Sequence, residues 1–167
     1  PWELAMRDIT PLIAPRSIAV IGASSNPTKS GGVLFANLAN GGFKGALYPI
    51  NKGAAEIVGH KAYPTLADVP EPVDLVYIVL PQAHVAEAIK QCVDAKARSA
   101  CIITAGFSEA SEKGRTDEDA LRKIAAQSGL LMAGPNTIGM VNVDCGMMGS
   151  FVNFPRWERG GVSFFTQ

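Results

Sequence analysis

The sequence predicts an α/β fold in which a doubly wound, mostly parallel sheet carries helices on both faces. Short apolar runs alternate with stretches of helical periodicity, a pattern typical of βαβ units. The run 75–80 (LVYIVL) is apolar or aromatic at every position, as expected of a strand that helices cover on both sides. These observations together predict a Rossmann-like domain.

The elements follow one another in strand–helix order. We expect strands at residues 17–21, 46–50, 75–80, 100–104 and 130–133. We expect helices at residues 31–40, 85–95 and 117–128, the last of them ended by Gly129. Pro49 favours a place for the second strand near an edge or a strand end, since proline lacks the N–H donor.

Composition narrows the classes of function. The 167 residues suffice for one domain with a hydrophobic core, and 15 basic residues balance 15 acidic ones. Zero net charge argues against nucleic acid or an anionic membrane surface as the main partner. Three widely spaced cysteines, Cys92, Cys101 and Cys145, indicate neither a disulfide framework nor a metal site, so we expect a reducing cytoplasm.

A ligand is expected where the parallel strands end, because ligands of open α/β sheets bind at the carboxyl ends of the strands. The loops there, 22–26, 51–53, 81–84, 105–108 and 134–137, are all rich in Gly, Pro, Ser or Asn. In the first loop Ser24 stands where the dinucleotide fingerprint has its second glycine, and glycine returns only at Gly31. Amide groups of such a loop and of the following helix can still bind phosphate. The alternative is a plain connection capped by Ser30 or Asn26.

The residues after the second predicted strand help to distinguish which nucleotide the domain binds. NAD enzymes place an acid there to hold the ribose hydroxyls, but this chain has Asn51 and Lys52 and no acid before Glu56. A cation suits the ribose phosphate of NADP or the 3′-phosphate of coenzyme A (CoA). A solvated loop lysine is the alternative.

The remaining polar residues predict no catalytic constellation. His60 is expected at the surface, in a turn or hairpin near Gly59, and His84 in a structural or ligand-lining role. Cys92 and Cys101 are expected in the core and Cys145 at the surface. The acids at positions 109 and 112 are expected to cap a helix.

Five ordered blocks carry a family resemblance: residues 18–24, 42–51, 73–81, 104–109 and 134–139. On them the chain resembles the N-terminal CoA-binding domain of NDP-forming acyl-CoA synthetases, the ADP-forming acetate–CoA ligase group related to the succinyl-CoA synthetase alpha subunit. The resemblance implies a larger enzyme that links acyl-CoA formation to ATP through an acyl phosphate and a phosphohistidine. That histidine would belong to a second domain and ATP, ADP and Mg to an ATP-grasp region, so residues 1–158 would bind CoA without catalysis and residues 159–167 would begin the next domain.

The resemblance also implies the CoA-binding residues. The first loop would meet the pyrophosphate or pantetheine arm, the third and fourth loops would line the adenine and pantetheine path, and Asn136 would lie near the thiol. Thr137 stands where the family usually has cysteine. The complete set is Gly22, Ala23, Ser24, Ser25, Asn26, Asn51, Lys52, Leu80, Pro81, Ala105, Gly106, Phe107 and Asn136.

Two alternatives stay open. The first is a non-catalytic CoA or acyl-CoA sensor, because the same domain type serves this purpose in protein acetyltransferases. The second is an NADP-dependent oxidoreductase, because Lys52 suits the ribose phosphate of NADP. In either ligase or sensor, exposed Phe151, Phe154 and Trp157 would face neighbouring domains.

Overall fold

A computed structural model describes residues 7–152 and 158–164. Its strands are β1 Ser17–Ile21, β2 Ala46–Ile50, β3 Glu56–Ile57, β4 His60–Lys61, β5 Leu75–Ile78, β6 Ser99–Ile102, β7 Leu131–Ala133, β8 Gly139–Asn142 and β9 Met147–Ser150. Its α-helices are α1 Thr10–Ile13, α2 Ser30–Asn40, α3 Val85–Asp94 and α4 Glu112–Ser128.

The central sheet has five parallel strands in the order β2-β1-β5-β6-β7. The predicted α/β class is therefore confirmed, and so is the position of β2 at an edge. The strand predicted at 75–80 already ends at Ile78, and α4 begins at Glu112 rather than Asp117 because Ser111 caps it by accepting a hydrogen bond from the Gly114 N–H. Gly129 ends α4 in the left-handed conformation, as predicted.

The sheet is covered on both faces, which explains its uniformly apolar strands. Helices α3 and α4 bury one face, with Ile89 and Leu121 among the fully covered side chains. Helix α2 and the antiparallel β8–β9 hairpin bury the other. The hairpin is tied to α2 by Asn37, whose side-chain amide donates to the carbonyl oxygens of Ser150 at 2.7 Å and Val152 at 3.1 Å.

At the amino ends of the strands, one carboxylate connects three segments of the chain. Asp74, with a side chain 7% exposed, accepts hydrogen bonds from the backbone N–H of Arg16 at 2.9 Å and from the guanidinium of Arg98 at 3.3 Å. Ser99 donates its hydroxyl proton to the Asp74 carbonyl at 2.7 Å. Burial raises the pKa of Asp74, but the hydrogen bonds from Arg16 and Arg98 and the charge of Arg16 outweigh it and hold the pKa below its ordinary 3.8.

The structure places several side chains differently from the sequence-based expectation. His60 does lie in a hairpin, β3–β4, but it is half-buried with its ring edge-on to Phe35, so its assignment to the surface was wrong. Cys92 and Cys101 are buried as predicted, whereas Cys145 is only half-exposed. Phe151 is half-buried rather than exposed, because it packs against the hydrophobic core on the face of the sheet that α2 covers.

Two predicted interface residues, Phe154 and Trp157, lie outside the described residues. Within the described ranges, no helix is both long and apolar enough to span a bilayer.

Candidate ligand-binding site

The order of the strands creates a crevice beside β1. The chain proceeds from β1 to β2 on one side and reaches β5 on the other side of β1. The loops that follow β1 and β5 therefore diverge at the carboxyl edge of the sheet, and such a switch point is where open α/β sheets bind ligands.

Two glycines allow the loop after β1 to pack tightly. Gly22 has φ +91°, and a Cβ there would lie 2.1 Å from the Val79 carbonyl oxygen at the end of β5. A Cβ on Gly31 would lie 2.1 Å from the Gly22 carbonyl oxygen, so the first turn of α2 sits directly on the end of β1. Glycines of the dinucleotide fingerprint serve the same two purposes, the tight turn and close helix–strand packing. Sequence reasoning missed the part of Gly31 because the loop before it is longer than that fingerprint.

Polar side chains of this loop hold its own backbone. The Ser24 hydroxyl oxygen accepts from the Asn26 N–H at 3.0 Å, and Asn26 Oδ1 accepts from the Thr28 N–H at 2.9 Å. The N-cap of α2 is Lys29, with no side-chain capping bond. The prediction that Ser30 or Asn26 caps this helix is therefore wrong.

The start of α2 keeps donors available. Among the described residues, the backbone N–H groups of Ser24, Ser25 and Ser30 donate to no protein oxygen, and all three residues are at least partly exposed. The N-terminus of α2 also carries the positive end of the helix dipole. The arrangement can bind an anion through the backbone alone.

Asn51 joins the loops that follow β1 and β2. Its side-chain Nδ2 donates to the Ala23 carbonyl at 2.8 Å, and its Oδ1 accepts from the Gly53 N–H at 2.8 Å. Ala23 is buried, which leaves only its backbone near the crevice. Lys52 is exposed beside this junction and forms no ion pair within residues 7–152 and 158–164.

Thr104 joins three more strand-end segments. Its hydroxyl donates to the Leu80 carbonyl at 2.6 Å and accepts from the Leu80 N–H at 3.4 Å. Its own carbonyl accepts from the Asn136 N–H at 2.9 Å. Leu80 is half-buried, whereas Pro81 and Asn136 are exposed at the edge.

The loop after β6 has its amides already bound by carboxylates. The Gly106 N–H donates to Glu109 at 2.6 Å, and the Ser108 N–H donates to the buried Glu118 at 3.2 Å. The Ser108 hydrogen bonds, followed by Arg122, hold the pKa of Glu118 below its ordinary value. The Gly106 hydrogen bond does the same for the pKa of Glu109. The amides of this loop are thus occupied by carboxylates of the protein, and Arg122 compensates the charge of Glu118. Because the donors at the start of α2 are not occupied in this way, an anionic ligand group is favoured there instead.

The predicted fourth-loop residues differ in what they expose. Ala105 is exposed and Gly106 half-exposed, but the Phe107 side chain is only 2% exposed and packs in the core under α4. His84 is exposed in a 3-10 turn at the third loop. In the described part of the chain, no group of three His, Cys, Asp or Glu side chains is placed to hold a metal ion.

The parallel sheet and its strand order define a Rossmann-like α/β domain, a class whose members bind ligands at the carboxyl ends of the strands. Residues 16–143 match the CoA binding domain family, and this range contains every candidate site residue. The chain belongs to that family.

Similar proteins narrow the class of protein further. The chain is 36% identical over 166 residues to acetate–CoA ligase (ADP-forming) II of Archaeoglobus fulgidus, a match that covers 99% of this chain and 25% of that protein. It is 37% identical to acetate–CoA ligase (ADP-forming) II subunit alpha of Pyrococcus furiosus, with coverages of 92% and 33%. The solved structure of dinucleotide-forming acetyl-coenzyme A synthetase 1 from Ca. Korarchaeum cryptofilum, in complex with phosphate and ADP, superposes with a TM-score of 0.83 at 38% identity, covering 86% of this chain and 31% of that one.

These comparisons confirm the resemblance drawn from the five sequence blocks. The chain corresponds to the CoA-binding part of ADP-forming acyl-CoA ligases. It spans about a quarter to a third of the length of these relatives.

Proposed function

We propose that this chain binds CoA across the carboxyl edge of its sheet, with the phosphates at the start of α2 and the pantetheine arm directed toward the loops after β5, β6 and β7. The observation that carries the proposal is the packing of Gly22 and Gly31, which brings the end of β1 and the first turn of α2 together under available backbone donors. Backbone amides at a helix N-terminus bind phosphate without a net charge on the protein. The family match supports CoA as the ligand.

Charge along the edge gives the ligand its direction. Lys52 and the N-terminus of α2 lie at one end, and Glu109 and Glu118 occupy the amides at the other. The 3′-phosphate and pyrophosphate belong at the first end, because the amides at the second end already donate to carboxylates and the exposed Glu109 would repel a phosphate. The uncharged pantetheine arm is suited to Leu80, Pro81, Ala105 and Asn136.

The complete protein, by the same reasoning, is an ADP-forming acid–CoA ligase. Residues 1–158 form its CoA-binding domain, residues 159–167 begin the next domain, and the phosphohistidine and ATP-grasp domains that hold ATP, ADP and Mg lie outside this chain. The relatives' names support the reaction class, and the free cysteines Cys92, Cys101 and Cys145 accord with a reducing cytoplasm. Acid, CoA and ATP would give acyl-CoA, ADP and phosphate.

Calorimetric titration of the 167-residue chain with four ligands tests the CoA site. We expect one site for CoA, weaker binding of dephospho-CoA, and no binding of NADP or NAD. Binding of NADP without CoA would overturn the proposal in favour of the oxidoreductase. A ligase and an acyl-CoA sensor would give the same binding result. An activity assay on the full-length protein distinguishes them. A ligase should release ADP and phosphate from ATP only when both CoA and a carboxylic acid such as acetate are present.

A further inference from the structure

Two side chains at the carboxyl edge use their polar atoms to join loops of the protein to one another. Asn51 connects the Ala23 carbonyl with the Gly53 N–H, both at 2.8 Å. Thr104 connects both backbone groups of Leu80 with the Asn136 N–H. The two sets share no hydrogen-bond partner.

We propose that Asn51 and Thr104 are positioning residues that hold the two halves of the site independently, Asn51 the phosphate-binding loop and Thr104 the loops along the pantetheine arm. This inference rests on the CoA-binding function proposed above. It gives Asn51 a different role from direct contact with the ligand, which the sequence resemblance had implied.

The peptide unit between Ala23 and Ser24 explains how Asn51 acts. A trans peptide is planar, and its C=O and N–H point in opposite directions. Because Asn51 holds the Ala23 carbonyl, it also sets the direction of the Ser24 N–H, which donates to no oxygen among the described residues. Asn51 thereby aims one donor of the phosphate site while its own amide is engaged elsewhere.

Thr104 acts one strand pair further along the edge. Regular pairing of β5 with β6 ends at Ile78 and Ile102, so Leu80 lies beyond the ladder. The Thr104 hydroxyl binds the Leu80 N–H and C=O and orients the peptide groups on both sides of this residue. Its carbonyl, engaged by Asn136, sets the Ala105 N–H in the same way. Thr104 thus joins three segments of the proposed pantetheine path, and its hydroxyl, the group that a substitution removes, holds the Leu80 segment.

The test uses two ligands, CoA and adenosine 3′-phosphate 5′-diphosphate, which is CoA without its pantetheine arm. We expect Asn51→Ala to weaken both ligands about tenfold, which corresponds to about 1.4 kcal/mol. We expect Thr104→Val to weaken CoA about tenfold and to leave the affinity for the fragment within twofold. Thr104→Ser, which keeps the hydroxyl, should bind both ligands as the unsubstituted chain does. Because Asn51 and Thr104 share no hydrogen-bond partner, their losses of binding free energy for CoA should add in the double variant.

A purely structural role predicts a different pattern. Thermal unfolding of each variant checks that it folds, and Thr104→Ala replaces Thr104→Val if the valine is not accommodated. Equal weakening of both ligands by the Thr104 variants, or no weakening from Asn51→Ala, would overturn the inference. Binding of CoA but not of the fragment by the unsubstituted chain would also contradict it, since the phosphate half would not stand alone. Absence of CoA binding by the unsubstituted chain would instead defeat the proposed function.

Discussion

The central sheet has two rims, an amino edge where its parallel strands begin and a carboxyl edge where they end, and the polar groups at these two rims have different partners. At the amino edge, Asp74 is buried and is held by the backbone of Arg16, the guanidinium of Arg98 and the hydroxyl of Ser99. At the carboxyl edge, the loop after β1 and the start of α2 leave the N–H groups of Ser24, Ser25 and Ser30 without a protein acceptor within the described residues.

This difference means that polar groups at one end of the strands contribute to stability, whereas those at the other end are available for ligand binding. A buried charge is tolerated when hydrogen bonds and opposite charges compensate it, and the amino edge provides both. Exposed backbone donors cost the free protein little because water binds them, and they remain available to a ligand. Removing a polar side chain at the amino ends of the strands should therefore change stability, and removing one at the carboxyl ends should mainly change affinity for CoA.

The largest effect is expected from Gly22→Ala. The new Cβ would meet the Val79 carbonyl at 2.1 Å in a backbone conformation, φ +91°, that disfavours side chains. We expect a loss of about 4 kcal/mol in stability, from strain and overpacking together, and at least a tenfold loss in CoA affinity. Chemical denaturation and calorimetry measure the two quantities.

Gly42→Ala is the matched control for this variant. Gly42 has φ +86°, but its added Cβ would have no heavy atom within 4 Å. It should cost about 1 kcal/mol from backbone strain alone and leave CoA affinity unchanged. If the two variants behave alike, close approach at the end of β1 does not shape the site.

At the amino edge, Asp74→Ala should destabilise the chain by about 2 kcal/mol, because it leaves the Arg16 backbone N–H without its acceptor while the exposed guanidinium groups return to water. CoA affinity of the folded variant should stay within twofold. Denaturant unfolding followed by titration provides both numbers. A large loss of affinity at unchanged stability would contradict the division between the edges.

The pH dependence of stability sharpens this prediction. The pKa of Asp74 in the folded chain lies below its ordinary 3.8, so its ionised form stabilises the fold above that pH. This contribution is lost as pH falls from about 4 through the folded-state pKa. Asp74→Asn should therefore lose less stability than the unsubstituted chain between pH 5 and pH 3, and equal acid-induced losses would contradict the role given to Asp74.

The smallest effect is expected from Lys52→Ala. Removing an exposed cation should change stability by less than about 0.5 kcal/mol, while CoA affinity falls about fivefold at low salt and the affinity for dephospho-CoA is unaffected. Lys44→Ala removes the same charge from the exposed turn before β2, at the amino edge, and should alter neither affinity. Equal effects of the two variants would show a general attraction rather than a 3′-phosphate contact.

Sequence reasoning succeeded where the signal is local. Continuous apolar runs revealed all five strands of the parallel sheet, and Gly129 marked the end of α4. It missed the β8–β9 hairpin, whose strands contain glycine and methionine rather than a run of β-branched residues. It began α4 too late, because Gly114 lowers helix propensity but is required by the close approach of the Phe107 carbonyl.

For the candidate site, the sequence located the loops but did not predict which contacts each residue makes. The five loops lie at one edge because parallel strands all end on the same side. Nothing local indicates that Asn51 bonds to Ala23, or Thr104 to Leu80, because these partners are 28 and 24 positions apart in the chain. The burial of Phe107 is likewise a property of the packed core.

The sequence by itself determined the α/β class, the strand-end loops and the family, because alternation of apolar runs and ordered loop motifs are properties of short segments. Only the tertiary structure decided the strand order, the compensation of Asp74 by two arginines and the direction of the donors at the start of α2. Those features depend on contacts between residues far apart in the chain, and such contacts exist only once the sheet has assembled and its loops have packed against one another.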